Sequence, residues 1–467
     1  MKKITIILLT FILLWAGWYF CYPYFLRWLE GFSFFTTLSD FAAVDLDMPK
    51  DIFKYIGMYL LQFYSIPAAG PALHALYPVL VVLCLYVIVR RLSDRTENLM
   101  WMAFLPLPVL VYCQLDDMKL VKIITVLSCA VLAMLVVCAI TCRKKPFRSM
   151  PAFMHDKYLA LVLIAVSMAA SSAVIFKNDK LQRTIEDAAY LDYLTEHQEW
   201  DKILETVSTK ESAKYDFKRS YVLLALSEKG MLSDYAFAYG LSASSDFVYD
   251  SPQDPFQCKF NSMFYRALGK NNPAAYNTYL YTLQTVSGPT FYWIRTLIDI
   301  NIEHRNYVLA KKYMDILSHT SCHGKWIRER LPELEAIKDM EPEYPSSEER
   351  FFTEYFVKDI SNMVIRNMSD KKYADYLLCC TLADKDFNDF LQALEVIAPS
   401  LYPDGTIPRL YQEAVLLWAH QKPELLEMYN IDAEVTTRYN DFVSLISGGK
   451  GTQALRKYAD TYWAYVY

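Results

Sequence analysis

The sequence predicts an all-α protein in which a polytopic transmembrane helix bundle is followed by a soluble domain of α-helical hairpins. The first third of the chain contains long apolar runs, and the remainder has apolar residues at helical spacing between short polar breaks. Only 13 of the 467 residues are glycine, which disfavours a turn-rich β architecture. We therefore expect a transmembrane domain at residues 1–177 and a soluble helical domain at residues 178–467.

Five apolar runs approach the roughly 20 residues that a helix needs to cross a bilayer. The first run has a basic start at Lys2 and Lys3, and bulky residues stand where a signal peptidase requires small ones. We therefore interpret this run as an uncleaved anchor. The predicted spans are residues 4–22, 72–89, 99–115, 120–140 and 158–176.

The distribution of Lys and Arg predicts the orientation of these spans. Basic residues cluster in the loops that a five-span chain with a cytoplasmic N terminus places inside, in keeping with the positive-inside rule. A sixth apolar stretch, residues 52–66, is short for a span, and counting it would place Arg90 and Arg91 outside. We therefore predict an interfacial or re-entrant helix there. The expected location is a bacterial inner membrane with the C-terminal domain in the periplasm.

Three stretches of the C-terminal part share a helix, a polar turn, an aromatic residue and then a small or apolar residue three positions later. This pattern resembles the turn and second helix of tetratricopeptide repeats, although the Leu-Gly pair of the first helix is absent. An ordinary α-helical domain is the alternative. The residue pairs are Trp200 and Ile203, Tyr307 and Ala310, and Phe387 and Phe390.

Several stretches resemble an uncharacterised membrane-protein family common in Bacteroidota. One of them is the first outer-loop signature of that family, which Pro67 and Gly70 close in this chain. Family members often carry Gly-Gly where this chain has Lys50 and Asp51. The family is a domain of unknown function, so the resemblance implies an architecture and a source, not an activity. The stretches are residues 49–63, 224–237, 307–317, 411–414 and 461–465.

Acidic residues of the two predicted outer loops are the candidate catalytic groups. Their position beside an interfacial helix resembles type-C glycosyltransferases, polytopic enzymes that use lipid-linked sugars. A carboxylate there could act as a general base or bind a metal. Alternatively, the loops are acidic because basic residues are excluded from them. The candidates are Asp40, Asp45, Asp47, Asp116 and Asp117.

His319 and His323 stand four residues apart with Cys322 between them, a spacing that could hold zinc. No further ligand follows nearby, so we predict a solvated helix end and no metal site. Gln62 beside the acidic loop and Trp463 in an aromatic tail are candidate binding residues. Docking of a last helix is the alternative for the tail.

The remaining motifs exclude several classes of protein. A net charge of −5 disfavours nucleic-acid binding, and no phosphate loop or Ser-His-Asp pattern indicates a familiar soluble enzyme. No cofactor is predicted. The cysteines outside the apolar runs leave room for one disulfide. They are Cys258, Cys322, Cys379 and Cys380.

These observations favour a cell-envelope scaffold or binding protein over an enzyme. Its expected partners are the lipid bilayer and an envelope protein or glycan. The alternative is a divergent enzyme of the type-C glycosyltransferase kind, with the acids of the first outer loop as its catalytic groups.

Overall fold

The computed structural model describes residues 2–31, 33–38, 52–92, 99–115, 117–140, 151, 154, 156–176, 180–284, 289–343 and 355–467. Within these ranges the chain is α-helical, with short 3-10 turns and one isolated bridge between Thr406 and Asn430. The predicted all-α class is therefore confirmed.

The helices follow one another in chain order. Those of the N-terminal part are α1 (Lys2–Cys21), α2 (Pro23–Gly31), α3 (Ile52–Leu61), α4 (Ala69–Leu92), α5 (Trp101–Phe104), α6 (Leu107–Cys113), α7 (Asp117–Ala139), α8 (Lys157–Phe176) and α9 (Lys180–Glu196), with a 3-10 turn at Gln62–Ser65. The next are α10 (Trp200–Thr206), α11 (Thr209–Lys214), α12 (Asp216–Glu228), α13 (Leu232–Tyr235), α14 (Pro255–Ala267), α15 (Asn271–Gln284), α16 (Phe291–Glu303), α17 (Tyr307–Ser318) and α18 (Gly324–Ala336), with a 3-10 turn at Ser244–Asp246. The last are α19 (Phe356–Arg366), α20 (Lys371–Ala383), α21 (Phe387–Leu401), α22 (Arg409–Trp418), α23 (Leu425–Met428), α24 (Ala433–Ser447), α25 (Gly451–Lys457) and α26 (Tyr462–Val466).

The chain forms two compact units. The first combines Met1–Tyr190 with Thr285–Glu343, and the second combines Leu191–Gln284 with Tyr344–Tyr467. The first unit thus unites the apolar helices with α16 to α18, which lie in the region predicted to be soluble. The predicted division at residue 177 concerns the membrane and soluble parts of the chain, and it stays a prediction.

Three helices in the described part of the chain are long and apolar enough to cross a membrane, namely Ile4–Cys21, Ala69–Leu92 and Lys157–Phe176. Two further apolar helices, Trp101–Cys113 and Val126–Ala139, are shorter. The predicted span at residues 99–115 consists of α5 and α6, because two prolines, at positions 106 and 108, interrupt regular helix there. The predicted interfacial stretch is α3 followed by the 3-10 turn.

The long apolar helices have exposed apolar faces and buried polar side chains. Ile4, Leu8 and Ile12 recur every four residues on α1 and are exposed, whereas Thr10 of the same helix is buried. On α8 the buried Ser167 donates its hydroxyl to a backbone carbonyl of α5 at 2.5 Å. A helix of a water-soluble protein has the opposite arrangement, with its apolar stripe facing the core.

A hydrophobic cluster joins α3 to helices α16 to α18 and explains why the first unit includes them. The backbone N–H of Phe291 also donates to the carbonyl of Ser33 at 2.9 Å, which ties the start of α16 to the chain after α2. Burial of these side chains together removes a large apolar area from solvent. The cluster comprises Phe34, Phe35, Met58, Phe291, Ile294, Ile298, Ala310, Met314, Leu317, Leu334 and Ile337.

A three-residue turn of one geometry joins two helices at six places in the described ranges. The middle residue of each turn has a positive φ, and the next N–H donates to the carbonyl five residues earlier, at 2.8 to 2.9 Å. This is the Schellman arrangement, which satisfies carbonyls at the end of the first helix. The middle residues are Gln198 (φ 55), Gly230 (φ 67), Gly269 (φ 68), Arg305 (φ 54), Lys385 (φ 59) and Gly449 (φ 75).

The helices on either side of these turns also have features in common. Four of the first helices, α12, α14, α16 and α20, are each 13 residues long. The fourth residue of the second helix is fully buried in five of the six pairs, so the two helices meet closely at that point. These residues are Ile203, Ala274, Ala310, Phe390 and Ala454.

Replacing the left-handed Gln198 by glycine is expected to stabilise the protein. A side chain costs roughly 1–2 kcal/mol in this conformation, and glycine removes that cost. We expect Gln198→Gly to raise the thermal unfolding midpoint of the detergent-purified chain. As the control, Glu205→Gly places glycine in the regular helix α10 and should lower it. A lower midpoint for Gln198→Gly would contradict the assigned turn geometry.

Candidate functional site

Most of the candidate catalytic acids cannot be placed. Asp40, Asp45, Asp47 and Asp116 lie outside the described residues. Asp117 begins α7, but its side chain lies outside the described part as well. Their role therefore stays a prediction, and the site is built from the other candidates.

The two histidines of the candidate zinc spacing face different surroundings. His319 is exposed, and its Nδ1 lies 2.9 Å from the carbonyl oxygen of Asp315. His323 is buried, and its ring packs on Phe291 with centroids 4.1 Å apart. Cys322 is half-buried between them. In the ranges that the structure describes, no three His, Cys, Asp or Glu side chains are grouped to hold a metal ion.

Trp463 lies in the core of the second unit. It is buried against Tyr439 and Phe442, with ring centroids 5.3 and 6.2 Å away. The neighbouring Tyr462 donates its hydroxyl to the carbonyl of Leu382 at 2.7 Å. The aromatic tail therefore docks as a last helix, and Trp463 has no exposed face for a ligand.

Gln62 connects the end of α3 to the loop after α17. Its side chain is fully buried, and its Oε1 accepts a hydrogen bond from the backbone N–H of Ser321 at 2.8 Å. Its Nε2 donates to the carbonyl of Tyr59 at 3.1 Å, and Ser65 donates its hydroxyl to the carbonyl of Gln62 at 2.8 Å. A buried amide with donor and acceptor satisfied holds two segments in one position.

The same loop meets a buried acid on α2. Glu30 is 2% exposed, its Oε1 lies 3.1 Å from Nε2 of His323, and its Oε2 lies 4.0 Å from the guanidinium of Arg295. Burial raises the pKa of Glu30, but Arg295 and His323 more than offset this, and the pKa lies below its ordinary value. We call Glu30, Arg295 and His323 the acid–histidine cluster.

The acid–histidine cluster was not anticipated as a site from the sequence. Glu30 follows the first apolar run, so its position in the sequence does not distinguish it from the other acids of the predicted outer loop. The available signal was Arg27 and Glu30 in the otherwise apolar helix α2, because charged groups among apolar neighbours need partners. Arg295 and His323 lie far along the chain, so only folding identifies those partners.

A second set of polar side chains lies near the start of α4 and includes Tyr64 of the 3-10 turn. Tyr64 and Nδ1 of the fully buried His74 are 2.8 Å apart, and Gln114 donates to the His74 carbonyl at 2.6 Å. Trp18 of α1 meets the imidazole edge-on, with centroids 4.4 Å apart. A fully buried imidazole is costly unless it has hydrogen-bond partners. We call Tyr64, His74 and Gln114 the tyrosine–histidine cluster.

The turn Gln62–Ser65 contributes Tyr64 to the tyrosine–histidine cluster, and its Gln62 meets the loop that also contains His323. Apart from the partly exposed Arg295, the side chains within each cluster are buried and face one another. The arrangement fixes α2, α3, α4 and the loop after α17 in one geometry. We call Gln62 and the two clusters together the polar joint, and we assign it a structural role.

A family model described as a family of unknown function (DUF6057) matches residues 1–176 and 149–467. The two matches together extend over the whole chain. No curated protein and no solved structure matches it.

Replacing Gln62 by methionine is expected to weaken the polar joint. The backbone N–H of Ser321 would lose its acceptor in a buried position, at a cost of about 1–3 kcal/mol. We expect a lower thermal unfolding midpoint and faster proteolysis of the loop at residues 319–324. The same change at the exposed Gln421 is the control and should have little effect. Equal behaviour of the two variants would contradict the role given to Gln62.

Proposed function

We propose the following function for this chain, which belongs to the family of unknown function DUF6057: it is an integral membrane protein that carries helical hairpins as a scaffold for other components of the cell envelope. The membrane is the bacterial inner membrane, and the hairpins face the periplasm. No cofactor is required for this role. The partner is an envelope protein or glycan.

The exposed apolar faces of the long helices support the membrane location. On α8, Leu161, Val162 and Val166 are exposed, while Ser167 and Ser171 are buried. In lipid an apolar outer face has no cost, and polar side chains must find partners inside the protein. In water this arrangement would leave a long apolar surface unsolvated.

The exposed side of α3 supports an interfacial position for that helix. Ile52, Ile56 and Tyr59 follow the spacing of one helical face and are all exposed. Met58 is buried in the cluster with α16 to α18. A short helix with one apolar face covered and the other open is suited to the boundary between headgroups and acyl chains.

The recurring turn is the observation that carries the scaffold proposal. Six helix pairs use one left-handed turn, and successive turns from Gln198 to Arg305 are 32 to 39 residues apart in sequence. Tetratricopeptide repeats have a period of about 34 residues and stack hairpins into surfaces that bind other proteins. These features favour a tetratricopeptide-like repeat over an ordinary helical domain.

Reporter fusions test the proposed orientation. We expect a reporter that is active only outside the cytoplasm to be inactive after Arg95 and after Arg148, and active after Lys180. The reason is that the basic loops stay in the cytoplasm. A cytoplasm-only reporter at the same three sites is the control and should give the reverse pattern. Outside activity after Arg95 or Arg148 would overturn the orientation.

A combined Asp40→Asn, Asp45→Asn and Asp47→Asn variant separates a scaffold from an enzyme. A scaffold has no need of a general base, so we expect this variant to complement a null strain as well as the parent chain does. Protein level in the membrane fraction is measured in parallel. Loss of complementation at an unchanged protein level would favour the glycosyltransferase-like alternative.

A further inference from the structure

An open groove of about 510 Å³ lies in the first unit along α17. Leu38, Val308 and Ile316 supply apolar lining, and Val308 is 74% exposed. The groove is within the size range of ligand sites, which is about 300–1,000 Å³.

Basic side chains lie along the same groove. Lys311 pairs with Asp315 at 3.2 Å, so these two charges offset one another. Lys312 also lines the groove, and it has no ion-pair partner in the part of the chain that the structure describes. Among the described residues that line it, the groove therefore combines apolar side chains with one positive charge that no ion pair offsets. This combination complements a molecule with an apolar tail and an anionic head.

The helix that forms the groove belongs to the same packed cluster as α3. Ala310, Met314 and Leu317 of α17 are buried in that cluster together with Met58 of α3. The opposite face of α3 is the exposed apolar one described above. The helix that lines the groove and α3 therefore belong to one packed cluster of the first unit.

We propose that this groove binds one anionic phospholipid of the surrounding membrane. An acyl chain lies along Leu38, Val308 and Ile316, and the headgroup phosphate lies on Lys312. The proposal rests on the membrane location proposed above. It adds a specific lipid site on the hairpin α16–α17, outside the predicted spans.

Photo-crosslinking in vesicles tests this site with the full chain. Benzoylphenylalanine replaces Val308 in the groove, Leu331 on the exposed surface of α18, or Val162 on the apolar face of α8. Each protein is reconstituted in phosphatidylcholine alone and in equal parts of phosphatidylcholine and phosphatidylglycerol. Mass spectrometry then identifies the adduct at each position.

We expect phosphatidylglycerol adducts at residue 308 and none at residue 331. Lys312→Gln should lower the adduct yield at residue 308 about fivefold, because one basic residue near a membrane surface contributes that factor. Lys325→Gln, an exposed lysine of α18 outside the groove, is the matched control and should leave the yield unchanged.

The position in α8 separates the lipid site from the membrane location itself. If residue 162 forms lipid adducts and residue 308 forms none, the groove proposal is wrong and the membrane location stands. If residue 162 forms none, the membrane location fails. An adduct at residue 308 to a second copy or to the chain's own segment 39–51 overturns the lipid proposal. Equal lipid labelling at residues 308 and 331 overturns it too.

Discussion

A single left-handed residue between two helices is the constraint on which the hairpins of this protein depend. At such a position the chain reverses within three residues, and the Schellman hydrogen bond satisfies a carbonyl that the helix end would leave unpaired. Three of the six positions are not glycine but Gln198, Arg305 and Lys385. A side chain makes the left-handed conformation costly at these positions, whereas glycine adopts it without that cost. A fully buried residue follows each of these three positions, in the first turn of the second helix. The close packing of the two helices at that residue offsets the backbone strain.

The polar joint imposes a second constraint, on the first unit. Gln62, Glu30 and His323 are buried, so each must find its partner inside the protein. Their partners lie on segments distant in sequence, such as Ser321 for Gln62 and Arg295 for Glu30. An unpaired buried amide or carboxylate is costly, and the joint therefore has one favourable geometry. This explains how helices from the C-terminal part of the chain come to be packed with the apolar N-terminal ones.

The first unit has two kinds of surface, which the proposed membrane location would place in lipid and in water. Most exposed residues of α1 and α8 are apolar, whereas α17 exposes Lys311, Lys312 and Asp315 along an apolar groove. A membrane protein needs both kinds of surface, because hydrocarbon does not solvate charge and water does not solvate a continuous apolar face. The proposed lipid site lies where both kinds of side chain meet.

Local composition and spacing were sufficient to predict the helical class, the apolar segments and the aromatic residues Trp200, Tyr307 and Phe387 at the start of a second helix. The sequence also indicated Gln62, His319 and His323, but it did not distinguish a buried histidine from an exposed one. Long-range packing, in contrast, brings His323 to Glu30, Ser321 to Gln62, and α16 to α18 to α3. The first two of these contacts join residues about 260 to 290 positions apart. Hydrophobic periodicity carries no information about which distant helix faces meet.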